Sequence, residues 1–373
     1  MQPIAGALTS TAGYQTLQHF ITHARWNEQE VWKQLRRAVP AGPGVYLIDD
    51  TGFPKQGRHS VGVSRQYSGT LGRVGSCQVG VGAVFAQKRR VWPMGLDLYL
   101  PREWAENLPR RESVEIPHSV EFLEKWRISL SQLDRARRDG ILIDAVVADA
   151  GYGEIFEFRQ SLRKRQLRYL LAVHDTTSVR RQGREGGAAI SLKRMAKSLP
   201  RTAWKTIKWR DGTKGPLRAR FAAVRVRAAH GWTKGGHWPT LEWLVCERSL
   251  TPGERNRYYL SNLPQQTPLR RLAGLAHERW KIEEHFKRLK EEIGIDHFEG
   301  RSWIGWHHHT TLAAVAFALI EAERLRGGGR KTFEQVRGVV RRLILLMMLA
   351  EKNEDAMLLM SFKKRAPPGW GFG

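Results

Sequence analysis

The chain has 373 residues, 41% of them hydrophobic, which is enough for a sizeable core and excludes a wholly disordered polymer. Its 62 Lys and Arg against 36 Asp and Glu give a formal charge of +26, an excess that attracts polyanions through phosphate neutralisation. The two cysteines, Cys77 and Cys246, form no CxxC pair, so neither a disulfide framework nor a structural zinc site is expected. Met1 to Ala12 lacks a charged start followed by an apolar stretch, and the reading is cytoplasmic, with nucleoid association following from the charge. The apolar runs Leu312–Ile320 and Leu343–Ala350 fall short of the roughly 20 residues a membrane span needs, so no membrane is expected.

In chain order, Tyr14 to Val39 has apolar residues at helical spacing and is predicted to be one helix, broken at Pro40–Gly44. Val45–Ile48 is a short apolar run of β character leading to Asp49 and Asp50. Ser60–Tyr67, Cys77–Gln87 and Val91–Leu100 read as strands, with a Gly-rich turn at Gly69–Gly75. Val120–Arg138 reads as an amphipathic helix, Ile141–Ala148 as a strand ending on Asp149, Glu154–Lys164 as a helix and Arg168–Val173 as a strand. This order is an RNase H-like topology. His174 to Pro264 has Gly-rich punctuation and short alternating runs, and from Pro268 the chain turns helical, over Leu269–Ile293, Ile304–Arg326 and Phe333–Ala350.

The fold class is therefore α/β, an RNase H-like core interrupted by a β-rich insertion, with helical parts at both ends. The expected boundaries are a helical segment over 1–44, the first part of the core over 45–175, the insertion over 176–265, the second part of the core over 266–326, and a helical basic segment over 327–373.

The chemistry-bearing positions are acidic. Asp49 shares a strand face with Val45 and Leu47, whereas Asp50 points to the other face. A carboxylate at the end of a buried strand is costly unless it is paired or binds metal. Asp149 follows Ala145–Ala148 in the same way, with Gly151 and Gly153 allowing a tight turn. Arg279, Glu283 and Lys290, spaced by four and seven, share one helix face. Oxygen ligands for hard cations, with cations to grip phosphates, are what metal-dependent phosphoryl transfer requires. Taken alone, a strand-end Asp is more often a turn former or helix cap, and a Glu between Arg and Lys is usually a solvated ion-pair face.

The motifs are more specific than the spacing. Leu47-Ile-Asp-Asp-Thr-Gly-Phe-Pro-Lys-Gln-Gly57, followed by His59–Tyr67 and Gly69-Thr-Leu-Gly72, resembles the opening of the catalytic core in transposases of the IS701 family, relatives of the IS4 group of DDE transposases. Val147-Ala-Asp-Ala-Gly-Tyr-Gly153 is similar to their second-aspartate motif, and Tyr259–Pro264 to the strand leaving their insertion domain. Arg279, Glu283 and Lys290 fit the last three members of the Tyr-Arg-Glu-Lys signature, while Ala276 stands at the tyrosine position. The resemblance runs from about Tyr14 to Leu346, and the part before Tyr14 looks short for the family.

This resemblance implies Asp49, Asp149 and Glu283 as catalytic ligands of two Mg²⁺ ions, with Mn²⁺ able to substitute. Asp50 and Glu284 are their respective rivals. Arg279 and Lys290 are implied as phosphate contacts; Lys55 and Lys287 are further candidates. Trp232 and Trp238 are candidate base-stacking residues, whereas Trp243, alternating with Leu241 and Val245, reads as core. His307, His308 and His309 point in different directions on a helix and cannot chelate one ion together; they are read as surface or phosphate-contacting residues. At least one of the basic runs Arg163–Arg168 and Arg337–Arg342 is read as a DNA-binding face. The implied activity is metal-dependent cleavage at transposon ends and strand transfer to target DNA. The partners are double-stranded DNA, as terminal inverted repeats and target, and a second copy in a homodimer. The alternatives are a transposase-derived DNA-binding regulator without transposition activity, or a metal-dependent nuclease.

Overall fold

The computed structural model describes residues 18–69, 71–88, 90–183, 188–212, 215–229, 240–251, 253–328 and 331–351. The strands are β1 (Gly44–Pro54), β2 (Ser64–Ser68), β3 (Arg73–Gln87), β4 (Arg90–Leu98), β5 (Ile143–Ala148) and β6 (Tyr169–Val173), then β7 (Ser178–Arg181), β8 (Ile190–Ser191), β9 (Lys205–Gly212), β10 (Gly215–Ala228), β11 (Glu242–Arg248) and β12 (Arg257–Ser261). All twelve belong to one mixed sheet, ordered β2-β3-β1-β5-β6-β12-β11-β10-β7-β8, with β4 on β3 and β9 on β10.

β1 lies between antiparallel β3 and parallel β5, and β6 continues the parallel run. A strand in that position is covered on both faces, which explains why Val45 to Ile48 form an unbroken buried run rather than an alternating one. The order β4-β3-β1-β5-β6 thus places three antiparallel strands and then two parallel ones side by side. The residues between β6 and β12 extend this sheet, because β12 pairs antiparallel with β6. They also bury a cluster of their own, including Val179, Met195, Val226, Leu244 and Leu260.

The principal helices are α1 (Glu28–Arg37), α2 (Lys125–Arg138), α3 (Phe156–Lys164), α4 (Leu269–Ala276), α5 (Trp280–Arg288), α6 (Trp303–Arg326) and α7 (Phe333–Glu351). Three depart from the sequence reading. The predicted Tyr14–Val39 helix is interrupted before α1, where the Asn27 side chain accepts from the amides of Gln29 and Glu30 and starts a new helix. α2 begins at Lys125 rather than Val120. The predicted Leu269–Ile293 helix is two helices and a π-turn, α4 and α5 meeting at His277–Arg279 and Leu289–Ile293 closing on Gly294 in the left-handed region.

The histidine run is also corrected. His307 and His308 are buried, not on the surface: His308 stacks on Trp26 with ring centroids 3.8 Å apart, and its Nδ1 lies 3.0 Å from the Ile21 carbonyl. His309 Nε2 sits on the Gly294 and Ile295 carbonyls. Trp243 packs against the core with its Nε1 donating to the Pro264 carbonyl. Part of each basic run is turned inward: Arg165 holds Asp134 through two hydrogen bonds, and Arg337 lies 2.8 Å from Glu292. Among the described residues, no helix is long and apolar enough to cross a membrane.

Candidate active site

The parallel register of β1 and β5 builds the centre of the site. Ile48 stands opposite Ala148, so the next residues, Asp49 and Asp149, leave the end of the paired stretch together. Asp149 ends its strand as the sequence suggested, starting a one-turn segment, Ala150–Gly153. Asp49 does not end β1, which runs on to Pro54 against β3. The absence of a side chain at two glycines brings the surroundings close. A Cβ on Gly153 would lie 1.9 Å from the Ala172 carbonyl, and one on Gly82, the partner of Asp49 across the sheet, would lie 2.5 Å from the Phe286 ring on α5.

α5 brings the third carboxylate. Arg279 precedes its first turn and Glu283 follows one turn later, so the guanidinium bridges two acids: Nη1 donates to Asp49 Oδ2 at 2.7 Å and Nη2 to Glu283 Oε1 at 2.5 Å. Burial pushes the Asp49 carboxyl up to about 7; Arg279 opposes the shift, and the nearby charges of Asp149 and Asp50 add to it. Burial likewise raises Asp149, again against Arg279. Glu283 is half exposed, facing a cleft of about 800 Å³ whose lining includes Asp149, Tyr259, Ala276 and Arg279.

The two rivals lie elsewhere. Asp50 accepts from Tyr152 Oη at 2.6 Å and from Lys125 Nζ at 2.8 Å, on the opposite side of β1 from the Arg279 bridge. Glu284 pairs with Arg288 at 3.1 Å and lines a different cleft.

The other candidate residues spread outward. Lys290 Nζ donates to the Gly52 carbonyl at 2.9 Å, three residues along β1 from Asp49. Lys55 Nζ donates to the Phe298 carbonyl, and burial lowers its pKa. Lys287 is exposed, 3.9 Å from Glu291, and is not part of the cluster. Trp232 and Trp238 lie outside the described residues.

The sequence reading missed several supports. Tyr152 and Lys125 hold Asp50, and only Tyr152 lies within a quoted motif. Glu247 accepts from Tyr259 Oη at 2.9 Å and lies 3.2 Å from His277 Nε2, while the His277 ring lies flat on Trp209 at 3.6 Å. These partners come from β9, β11 and β12, and no local spacing marks them.

As the side chains stand, no group of three His, Cys, Asp or Glu among the described residues is spaced to hold a metal ion. The pair Asp49 and Asp149 nevertheless fits a hard divalent cation. Asp149 Oδ1 is buried with no hydrogen-bond partner, and Asp49 is held partly protonated by burial, so both gain from a positive ion. Glu283 stands apart from that pair as the side chains lie, with its Oε1 against Arg279.

The description "DDE superfamily endonuclease" matches residues 1–216 and "Transposase DDE domain" matches residues 118–319, each more than half of the chain. The chain belongs to the DDE transposases. One relative, the "Probable transposase for insertion sequence element IS701" of Microchaete diplosiphon, is 23% identical over 294 residues, covering 76% of this chain and 68% of the relative. The DDE family implies an RNase H-like fold, uses divalent metals in general, and connects the chain to DNA cleavage in transposition.

Proposed function

We propose that the protein is a DDE transposase that cleaves DNA at the ends of its element and joins the freed 3′-hydroxyl to target DNA. The observation carrying this reading is that Asp49 and Asp149 leave the β1–β5 pairing side by side while Arg279 bridges Asp49 to Glu283. Asp49 and Asp149, joined by Glu283, are the residues to hold two Mg²⁺ ions, with Mn²⁺ as a substitute. The chemistry such ions supply is activation of the attacking oxygen and stabilisation of the leaving one.

The chain's own groups prepare that event. Burial leaves Asp49 and Asp149 poorly hydrated, and Arg279 offsets their repulsion. Once Glu283 turns away, an arm of the guanidinium is released toward a phosphate, and a planar fork suits a phosphodiester. Lys290 adds positive charge beside Gly52, on the path of the bound strand.

In this reading the catalytic core comprises 45–175 and 266–326, and 176–265 is a β-rich insertion that the Gly-rich sequence and separate cluster support. The helical parts are 1–44 and 327–373. A homodimer bridging two element ends and association with the nucleoid follow from the family and the charge. Ala276, which lines the cleft without a hydroxyl, favours the second reading, a DNA-binding regulator that has lost transposition.

The deciding experiment incubates labelled DNA carrying the element's ends with Mg²⁺ or Mn²⁺ and compares wild type with Glu283→Gln. Nicked and joined products should fall by about 10³-fold in the variant, matching loss of several kcal/mol of transition-state stabilisation, while DNA binding persists. Wild-type binding without cleavage would support the regulator, and cleavage of any sequence without joining would support a nuclease.

A further inference from the structure

β1 does not stop at the carboxylates, and the surface it leads into is strongly basic. Lys290 lies on Gly52, three residues beyond Asp49, and Lys55 follows three residues later. Pro54 and Lys55 then line a groove of about 1110 Å³ between the end of β1, the β2–β3 ribbon and the helix Leu108–Glu112. The charged side chains of that groove are Lys55, Arg58, Arg65, Arg73 and Arg110, against the lone carboxylate of Glu103. Glu103 lies 3.7 Å from Arg110. Arg58, Arg65 and Arg73 are exposed and form no ion pair with any described residue. Their mutual repulsion is therefore not offset by an ion pair among the described residues, and a polyanion laid along the groove would offset it.

Part of the ribbon that carries Arg65 and Arg73 is open to solvent. Tyr67 and Val74 face each other across it and are 64% and 54% exposed. The distance also suits DNA. The six residue steps from Asp49 to Lys55, just past the end of β1, span about 20 Å, equal to the axial rise of about six phosphates of one strand.

We infer that this groove seats the phosphate backbone of the duplex running on from the reacting bond, so that β1 carries both the cleavage carboxylates and the track for the adjoining DNA. The inference rests on the DNA-cleaving function proposed above. The adjoining duplex could come from the element side or the flanking side of the bond, with the same phosphate chemistry in either case.

The test uses the full chain and three labelled duplexes: one carrying the reacting bond with about five base pairs on each side, and two lengthened by about 15 base pairs on the element side or the flanking side, beyond the roughly six that reach the groove. Dissociation constants are measured over a salt series for wild type, Arg65→Ala with Arg73→Ala, and Arg65→Lys with Arg73→Lys. The Ala pair should flatten the salt slope by about two, one per lost phosphate contact, on one extended duplex only, which identifies the side. The Lys pair should restore the slope, and cleavage of the shortest duplex should be retained by both variants. Unchanged slopes on both extended duplexes, or an equal drop on the shortest, would overturn the inference. If wild type binds no duplex at all, the functional proposal itself fails, and that result is distinct from the others.

Discussion

At the scale of single residues, Asp50 has a role separate from its neighbour. Its two oxygens hold Tyr152, on the turn that follows Asp149, and Lys125, at the start of α2. The acid next to Asp49 thus ties down the turn that follows Asp149. Tyr152→Phe removes the hydroxyl from a fully buried ring and leaves one oxygen of Asp50 without its donor, which should cost about 1–3 kcal/mol in stability. Denaturant unfolding measures that loss. If Tyr152 also keeps Asp149 in place, cleavage should slow while DNA affinity stays constant; equal cleavage rates in the two proteins would refute the positioning role.

At the scale of elements, the meeting of β1, β3 and α5 decides where Glu283 can reach. Gly82 stands opposite Asp49 in β3, and the Phe286 ring occupies the space its side chain would take. Gly82→Ala should push α5 off the sheet and reduce cleavage more than a stability loss of about 1–3 kcal/mol would explain. Parallel measurements of kcat and unfolding free energy separate the two; a rate that tracks stability alone would count against this view. Much of this scaffold is legible from sequence, because the apolar runs before Asp49 and Asp149 already describe buried strands and the two acids fall where the parallel pairing stops. The break between α4 and α5 is not legible. His277 leaves the helical run because its ring lies on Trp209 and its Nε2 meets Glu247, partners 68 and 30 residues away. The buried positions of His307 and His308 were missed for the same reason, since His308 depends on Trp26 and Ile21.

At the scale of the whole molecule, two buried groups oppose each other across the pH range. His285 is fully buried on α5 against Phe317, and burial with Arg288 beside it brings its pKa down to about 3. The unfolded chain takes up that proton near pH 6.5 and the folded one does not, so stability falls as pH drops from about 6.5 toward 3. Asp49 acts in the other direction. Its folded pKa of about 7 lies above the usual carboxylate value, so without metal the fold loses stability as pH rises from about 4 to 7. Between about pH 4 and 6.5 the two slopes offset each other, so in EDTA His285→Leu should uncover a urea-unfolding stability that falls as pH rises and Asp49→Asn one that falls as pH drops, each by up to a few kcal/mol. A His285→Leu or Asp49→Asn profile as flat as that of the wild type would contradict the corresponding assignment. That this profile can be taken in a chelator follows from the Arg279 bridge, which lends Asp49 and Glu283 a cation of the protein's own. Proteins whose ion doubles as the keystone unravel when it is withdrawn. On the proposed reading, withdrawal stops the chemistry and leaves the architecture standing, so a cell short of divalent ions would hold a dormant stock rather than debris, ready as soon as the ions return.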